Sequence, residues 1–222
     1  MEIEIRNITK AYGRKQVLNG IHLHTSGGKC VGILGSKGSG KSTLLRLLSG
    51  VLDTDAGSFL YDGKDLLQDK KLCSALVGYV PQGTPLIEEL NAWDNLLLWY
   101  DRKTLQQELE SGVLHILGID AFLKVRVSNM SGGMKKRLSI GCAMAGRPPI
   151  LLLDEPTAAL DLACKERIFQ YLRSYKAAGG LLILTTHDVM ELEICDELYI
   201  LKDGLLHPYT YTGDVKYLVE SL

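Results

Sequence analysis

Gly35-Ser36-Lys37-Gly38-Ser39-Gly40-Lys41-Ser42-Thr43 is the stretch on which the fold turns. It follows the apolar run Cys30-Val31-Gly32-Ile33-Leu34 and leads into Leu44, Leu45, Leu47 and Leu48. The run suits a buried strand of a parallel sheet, and the leucines suit a helix over Ser42 to Leu48. Gly-x4-Gly-Lys-Ser between strand and helix has the spacing of a phosphate-binding loop. Its glycines let backbone N–H groups turn inward around phosphate oxygens. The helix starting near Gly40 offers its positive end to an anion. Lys41 supplies a point charge to the β- and γ-phosphates of a nucleoside triphosphate. Ser42 supplies a hydroxyl to Mg²⁺, which takes oxygen ligands and shares them with a triphosphate.

Working outward, Ile3, Ile5 and Ile8 and then Val17 to Leu23 predict two strands around a turn at Gly13-Arg14-Lys15. Ser58 to Gly63 predicts a strand entering a turn, and Val77 to Val80 a strand stopped by Pro81. From about Thr84 to Leu123 the pattern becomes helical, with Asn91 to Tyr100 and Thr104 to Leu117 at helical spacing. Met134 to Ala145 predicts a helix ended by Pro148-Pro149, and Leu162 to Lys176 a helix ended by Gly179-Gly180. Ile150 to Leu153, Leu181 to Thr185 and Leu198 to Leu201 predict further strands. Strands alternating with helices imply a parallel-type sheet whose ligand loops lie at strand C-termini.

The apolar run Ile150-Leu151-Leu152-Leu153 ends in two acids, Asp154 and Glu155. Neighbouring strand residues point in opposite directions, so the two acids have different tasks. Asp154 is placed to face the phosphate loop and hold Mg²⁺ through water. Glu155 is placed to orient and deprotonate an attacking water, as phosphoryl transfer requires.

Composition narrows the classes. With 222 residues the chain is long enough for a sizeable core. Lys plus Arg number 25 and Asp plus Glu 26, so no bulk charge draws it to nucleic acid or anionic lipid. The 5 cysteines show no CxxC pairing and sit mostly in apolar stretches, as reduced buried thiols do. Met1 to Arg6 alternates like a strand and lacks the basic start and apolar run of a signal peptide. No stretch approaches the ~20 apolar residues that cross a bilayer, so a membrane is reached through a partner.

Taken in order, these motifs resemble those of the ATPase subunits of ATP-binding cassette (ABC) transporters, from Ile3 to about Gly204. Gly35 to Thr43 resembles the Walker A motif, and Leu151 to Glu155 the Walker B motif with its catalytic glutamate. Met130-Ser131-Gly132-Gly133-Met134 stands where the signature LSGGQ belongs. Val80-Pro81-Gln82 resembles the Q-loop, Ala158-Ala159-Leu160-Asp161 the D-loop, and Leu184-Thr185-Thr186-His187-Asp188 the H-loop. Tyr12 resembles the aromatic residue that stacks on adenine, although strand packing also accounts for it. Ser131, Gly132 and Gly133 cap a helix and can offer N–H groups to phosphate. Gln82 can bind Mg²⁺ or the attacking water, or serve as a turn residue after Pro81. His187 can donate to the γ-phosphate, or cap the next helix. Asp161 can touch a partner and cap the helix at Leu162. Lys135-Lys136-Arg137 reads as a solvated helix face. Met130 and Met134 replace the outer signature residues, and Ala158 replaces a D-loop serine.

The resemblance implies a P-loop NTPase core of α/β class with a mixed sheet, an N-terminal antiparallel β subdomain and an inserted helical subdomain. One ABC-type domain spans 1–222, with core and β subdomain over 1–83 and 147–222 and the helical subdomain over 84–146. ATP and Mg²⁺ are the implied ligands. The implied partners are a second ATPase subunit, in a homodimer or heterodimer, and a membrane permease docking near Gln82 and the helical subdomain. The implied place is the cytoplasmic face of the cell membrane, and the implied activity is transport-coupled ATP hydrolysis. The short tail after Gly204 weakly favours an exporter. A soluble cassette ATPase acting on DNA or ribosomes is the rival. It is disfavoured by the neutral charge balance, the lack of a coiled-coil insertion and the presence of one cassette where translation factors carry two.

Overall fold

The computed structural model describes every residue but Ala159, and leaves the side chains of Val215, Tyr217 and Val219 undescribed. Two sheets carry the fold. The first is antiparallel, with β1 (Glu2–Tyr12), β2 (Lys15–Ser26), β4 (Ala56–Tyr61) and β5 (Lys64–Asp65) in the order β2-β1-β4-β5. The second contains β3 (Cys30–Leu34), β6 (Val77–Val80), β7 (Ile150–Asp154), β8 (Leu181–Thr185), β9 (Glu197–Lys202) and β10 (Leu205–Tyr209). Its order is β10-β9-β3-β8-β7-β6. All its pairs are parallel except β9–β10. The mixed sheet and the N-terminal antiparallel sheet match expectation.

The register of the second sheet builds the site. Ile33 lies beside Thr185, Thr185 beside Asp154, and Leu153 beside Val80. The chain therefore leaves β3, β8, β7 and β6 along one edge, so the loops after Leu34, Thr185, Asp154 and Val80 are neighbours in space. Parallel strands deliver ligand loops at their carboxyl ends in this way.

The central strands are buried on both faces, and their residues divide between two cores. Ile150, Leu152, Leu181 and Ile183 join Ile3, Ile5, Ile8, Leu44 and Phe59 on the side of the antiparallel sheet. Leu151, Leu153, Leu182 and Leu184 join Leu96, Leu105, Leu138 and Ile168 on the helical side. A period of two on an all-apolar strand feeds both layers at once. Burying each of these leucines contributes about 1.5–3 kcal/mol.

The helices are α1 (Lys41–Leu48), α2 (Lys70–Leu76), α3 (Ala92–Leu96), α4 (Arg102–Glu110), α5 (Val113–Ile116), α6 (Gly132–Ala143), α7 (Leu162–Ala177), α8 (Val189–Leu192) and α9 (Val215–Ser221). The single helix expected over Thr104 to Leu117 is broken. Ser111 leaves the helical region at φ −150°, and Gly112 starts α5. The Glu108 carboxylate sits over that break, accepting from Val113 N–H at 2.8 Å and from Arg147. Four of the cysteines are buried, Cys195 is half-buried, and none is disulfide-bonded. Among the described residues, no helix is long and apolar enough to cross a membrane.

Candidate functional site

The phosphate loop runs from the end of β3 to α1, which is capped by Gly40 in a left-handed conformation (φ 111°). Gly35 (φ +154°) has no room for a side chain: a Cβ there would lie 2.6 Å from Ser39 Oγ and 2.7 Å from Leu201 O. The Lys41 ammonium, 7% exposed, donates to Gly35 O at 2.6 Å and Ser36 O at 3.1 Å. Burial pulls its pKa down, against the opposing pull of Glu155 and Asp154. The lysine is thus curled back onto its own loop beside the cavity the loop borders.

Asp154 closes β7 and is 2% exposed. Its Oδ1 accepts from Thr185 Oγ1 at 2.6 Å. Glu155 is in the left-handed region (φ 49°), a conformation costing a non-glycine residue about 1–3 kcal/mol. Thr185 holds it there, since Glu155 N–H donates to Thr185 O (3.1 Å) and Oγ1 (3.2 Å). The two acids are thus separated by this backbone turn as well as by strand alternation. Gln82 Nε2 donates to Glu155 Oε2 at 2.8 Å, and His187 Nε2 lies 3.4 Å from Oε1. Burial and then the Lys41 charge push the His187 pKa below its ordinary value, while Glu155 pulls it up. That shift favours the neutral imidazole over the imidazolium.

A cavity of about 500 Å³ is lined by Lys37, Gly38, Gly40, Lys41, Ser42, Thr43, Gln82, Glu155, His187 and Val17 of β2. Most of the expected phosphate-loop, Q-loop and H-loop residues are thereby brought together. Gly35, Ser36 and Ser39 are not among its lining residues; Gly35 O and Ser36 O accept from Lys41, and Ser39 N–H donates to Ser36 O at 3.2 Å. Tyr12 is not among the lining residues and stands 50% exposed at the tip of the β1–β2 hairpin. The oxygen donors Ser42, Asp154 and Gln82 fit Mg²⁺, whose preference is for oxygen alone. The Gln82 amide nitrogen meets Glu155, and of that amide only the carbonyl oxygen can ligate a cation. Among the described residues no cluster of His, Cys, Asp and Glu could hold a metal unaided.

The signature segment is elsewhere. Ser131 caps α6, its Oγ accepting from Met134 N–H at 3.2 Å, and neither it nor Gly132 and Gly133 line the cavity. A Cβ on Gly133 would lie 2.7 Å from Cys164 Sγ, so that glycine is also required by packing against α7. Met130 is buried in the helical-side core. Asp161 caps α7 by accepting from Cys164 N–H at 2.9 Å. The D-loop expectation falls partly on Ala159, which lies outside the described residues.

Two groups were not anticipated. Glu191 of α8, 1% exposed, accepts from the N–H of Thr157 at 3.0 Å and from the Thr157 hydroxyl. It ties the turn after Glu155 to the helix after His187, and burial pushes its carboxyl up. Lys136 departs from the solvated face expected of it, being 5% exposed and bonded to Pro81 O and Gln82 O. Its neighbours differ: Lys135 reaches Glu88, and Arg137 donates to Leu117 O and stacks on Phe122.

Comparison with known proteins identifies this arrangement. Residues 18–158 match the family model described as ABC transporter. Nod factor export ATP-binding protein I of Paraburkholderia xenovorans is 35% identical over 207 residues, covering 91% of this chain and 68% of that protein. Linearmycin resistance ATP-binding protein LnrL of Bacillus subtilis is 31% identical, with 91% and 67% covered. Among the Nod factor export relatives the aligned segment falls as low as 60% of their length. A dimeric, post-hydrolysis ATP-binding cassette bound to ADP and Pi superposes with a TM-score of 0.82 at 27% identity, covering 94% of this chain and 98% of the other. The chain belongs to the ABC transporter family and is its ATP-hydrolysing cassette.

Proposed function

We propose that the chain is the energy-coupling subunit of an export-type transporter, working as a head-to-tail dimer. Glu155 is the general base, bonded to Gln82 and beside His187 at the edge of the phosphate cavity; this contact carries the reading. Lys41 and the N–H groups of Gly38 to Thr43 hold the β- and γ-phosphates. Ser42, Asp154 and Gln82 hold Mg²⁺, which when bound neutralises charge on the transferring phosphoryl group. Neutral His187 donates to a γ-phosphate oxygen, and Glu155 takes the proton of the attacking water. Tyr12 stacks on adenine.

Ser131, Gly132 and Gly133 lie outside the chain's own cavity and face the nucleotide of a second copy, with Asp161 near the joint. ATP then favours the closed dimer, and hydrolysis reopens it. Residues 84–146 act as a helical subdomain, where exposed Leu98 and Trp99 receive a membrane subunit on its cytoplasmic side. Export is the direction named for the Nod factor relatives. The rival DNA- or ribosome-linked role has no such support.

The test is Glu155→Gln. ATP affinity is retained and turnover falls on the order of 10²–10⁴-fold, the range supplied by a general base. Near-normal phosphate release by that variant overturns the assignment.

A further inference from the structure

We propose that Lys136 is a positioning residue that couples the signature helix to the hydrolytic carboxylate of the same chain. Three contacts form a continuous path. Ser131 caps α6, and Lys136 lies on that helix. The Lys136 Nζ donates to Pro81 O at 3.0 Å and to Gln82 O at 3.1 Å, the first two carbonyls after β6. The Gln82 side chain then donates to Glu155 Oε2 at 2.8 Å. A displacement of Ser131 by phosphate of a second copy is thereby passed to the group that activates water.

The chemistry of Lys136 favours a coupling role over simple stabilisation. An ammonium 5% exposed is costly unless bonded. Burial lowers its pKa, and Asp154, Glu191 and Glu155 oppose that shift. Its hydrogen bonds to Pro81 and Gln82 nevertheless go to two main-chain carbonyls. Pro81 and Gln82 are the first two residues after β6, so both bonds hold only when α6 and this loop are in one relative position. A pair of bonds made and lost together defines two arrangements, as a coupling element must. The flanking cations take no part: Lys135 meets Glu88 at 3.7 Å, and Arg137 serves Leu117 O.

The inference rests on the reading of Glu155 as base, and a double-mutant cycle separates the two. Lys136→Met keeps the stem and removes both bonds. Fluorescent-ATP titration should show unchanged affinity, while phosphate release falls by about tenfold. In a Gln82→Ala background the path is already cut, so the same substitution should lower turnover by less than about twofold. Lys136→Gln keeps a donor for one carbonyl, loses less turnover and obeys the same cycle, which decides the matter if the Met variant does not fold. Equal losses in both backgrounds, or ATP affinity and turnover lost in proportion, overturn the proposal. Undiminished turnover of Glu155→Gln would instead defeat the base assignment, leaving the 136–82 coupling readable.

Discussion

Gln82 Nε2 donates to Oε2 of Glu155 across 2.8 Å, joining the loop after β6 to the carboxylate after β7. A hydrogen bond to a charged group contributes about 1.5–3 kcal/mol. Gln82→Ala should therefore lower turnover roughly 10–100-fold, while ATP affinity measured without Mg²⁺ holds because the phosphate loop is untouched. Steady-state kinetics beside an equilibrium ATP titration checks this. Unchanged turnover would mean that the contact does not position Glu155.

His187 is held between opposite charges, and the signs can be separated. Burial and Lys41 lower its pKa, and Glu155 raises it. An NMR titration of ligand-free protein should place its midpoint below 6.5, the ordinary value. Lys41→Met removes a positive neighbour and should move the midpoint up. Glu155→Gln removes a negative one and should move it down. A depressed folded-state pKa on a base means that protonation favours the unfolded chain. The His187 contribution to stability is thus present above pH 6.5 and lost as pH falls toward the lowered value.

Glu191 accepts both polar hydrogens of Thr157 in a site 1% exposed. Glu191→Ala leaves a buried N–H and a buried hydroxyl unpaired, at about 1–3 kcal/mol each. Glu191→Gln keeps an acceptor of the same shape and should cost much less. Because burial raises the Glu191 pKa, its ionised form is disfavoured in the fold, so the Gln variant should compare best with the parent at high pH. Urea unfolding at two pH values measures both effects.

Ser131 combines a capping role with a proposed phosphate contact, and two substitutions divide them. Ser131→Ala removes the cap on α6 and should destabilise by about 0.5–2 kcal/mol. Ser131→Asp preserves a good cap and the fold, but sets a negative charge toward phosphate, so turnover should fall while the unfolding midpoint holds. Thermal unfolding and phosphate release measured on both variants distinguish the roles.

The legible parts of the chain were those where local pattern and tertiary need agree. Cys30 to Leu34 and Ile150 to Leu153 are all-apolar because the central sheet is covered on both faces, and the phosphate loop follows from spacing alone. The short elements were not legible: β5 has two residues, α8 has four, and neither is long enough to show a period. β10 carries Pro208 and is exposed along much of its length, so it lacks a strand's apolar alternation. Lys135-Lys136-Arg137 looked like one solvated face. Successive helix residues are about 100° apart, so three adjacent cations point three ways. Glu191 gave no sign in the sequence, since its partner Thr157 is distant in the chain and the pairing exists only once β7 and β8 are side by side.

The most direct test of the composite site is sedimentation of Glu155→Gln with ATP and Mg²⁺. A species of twice the single-chain mass should form, and only with ATP. Adding Ser131→Asp to Glu155→Gln should return the protein to single-chain mass while ATP binding persists. A double variant that still dimerises with ATP would contradict the claim that one chain's signature completes the other chain's site.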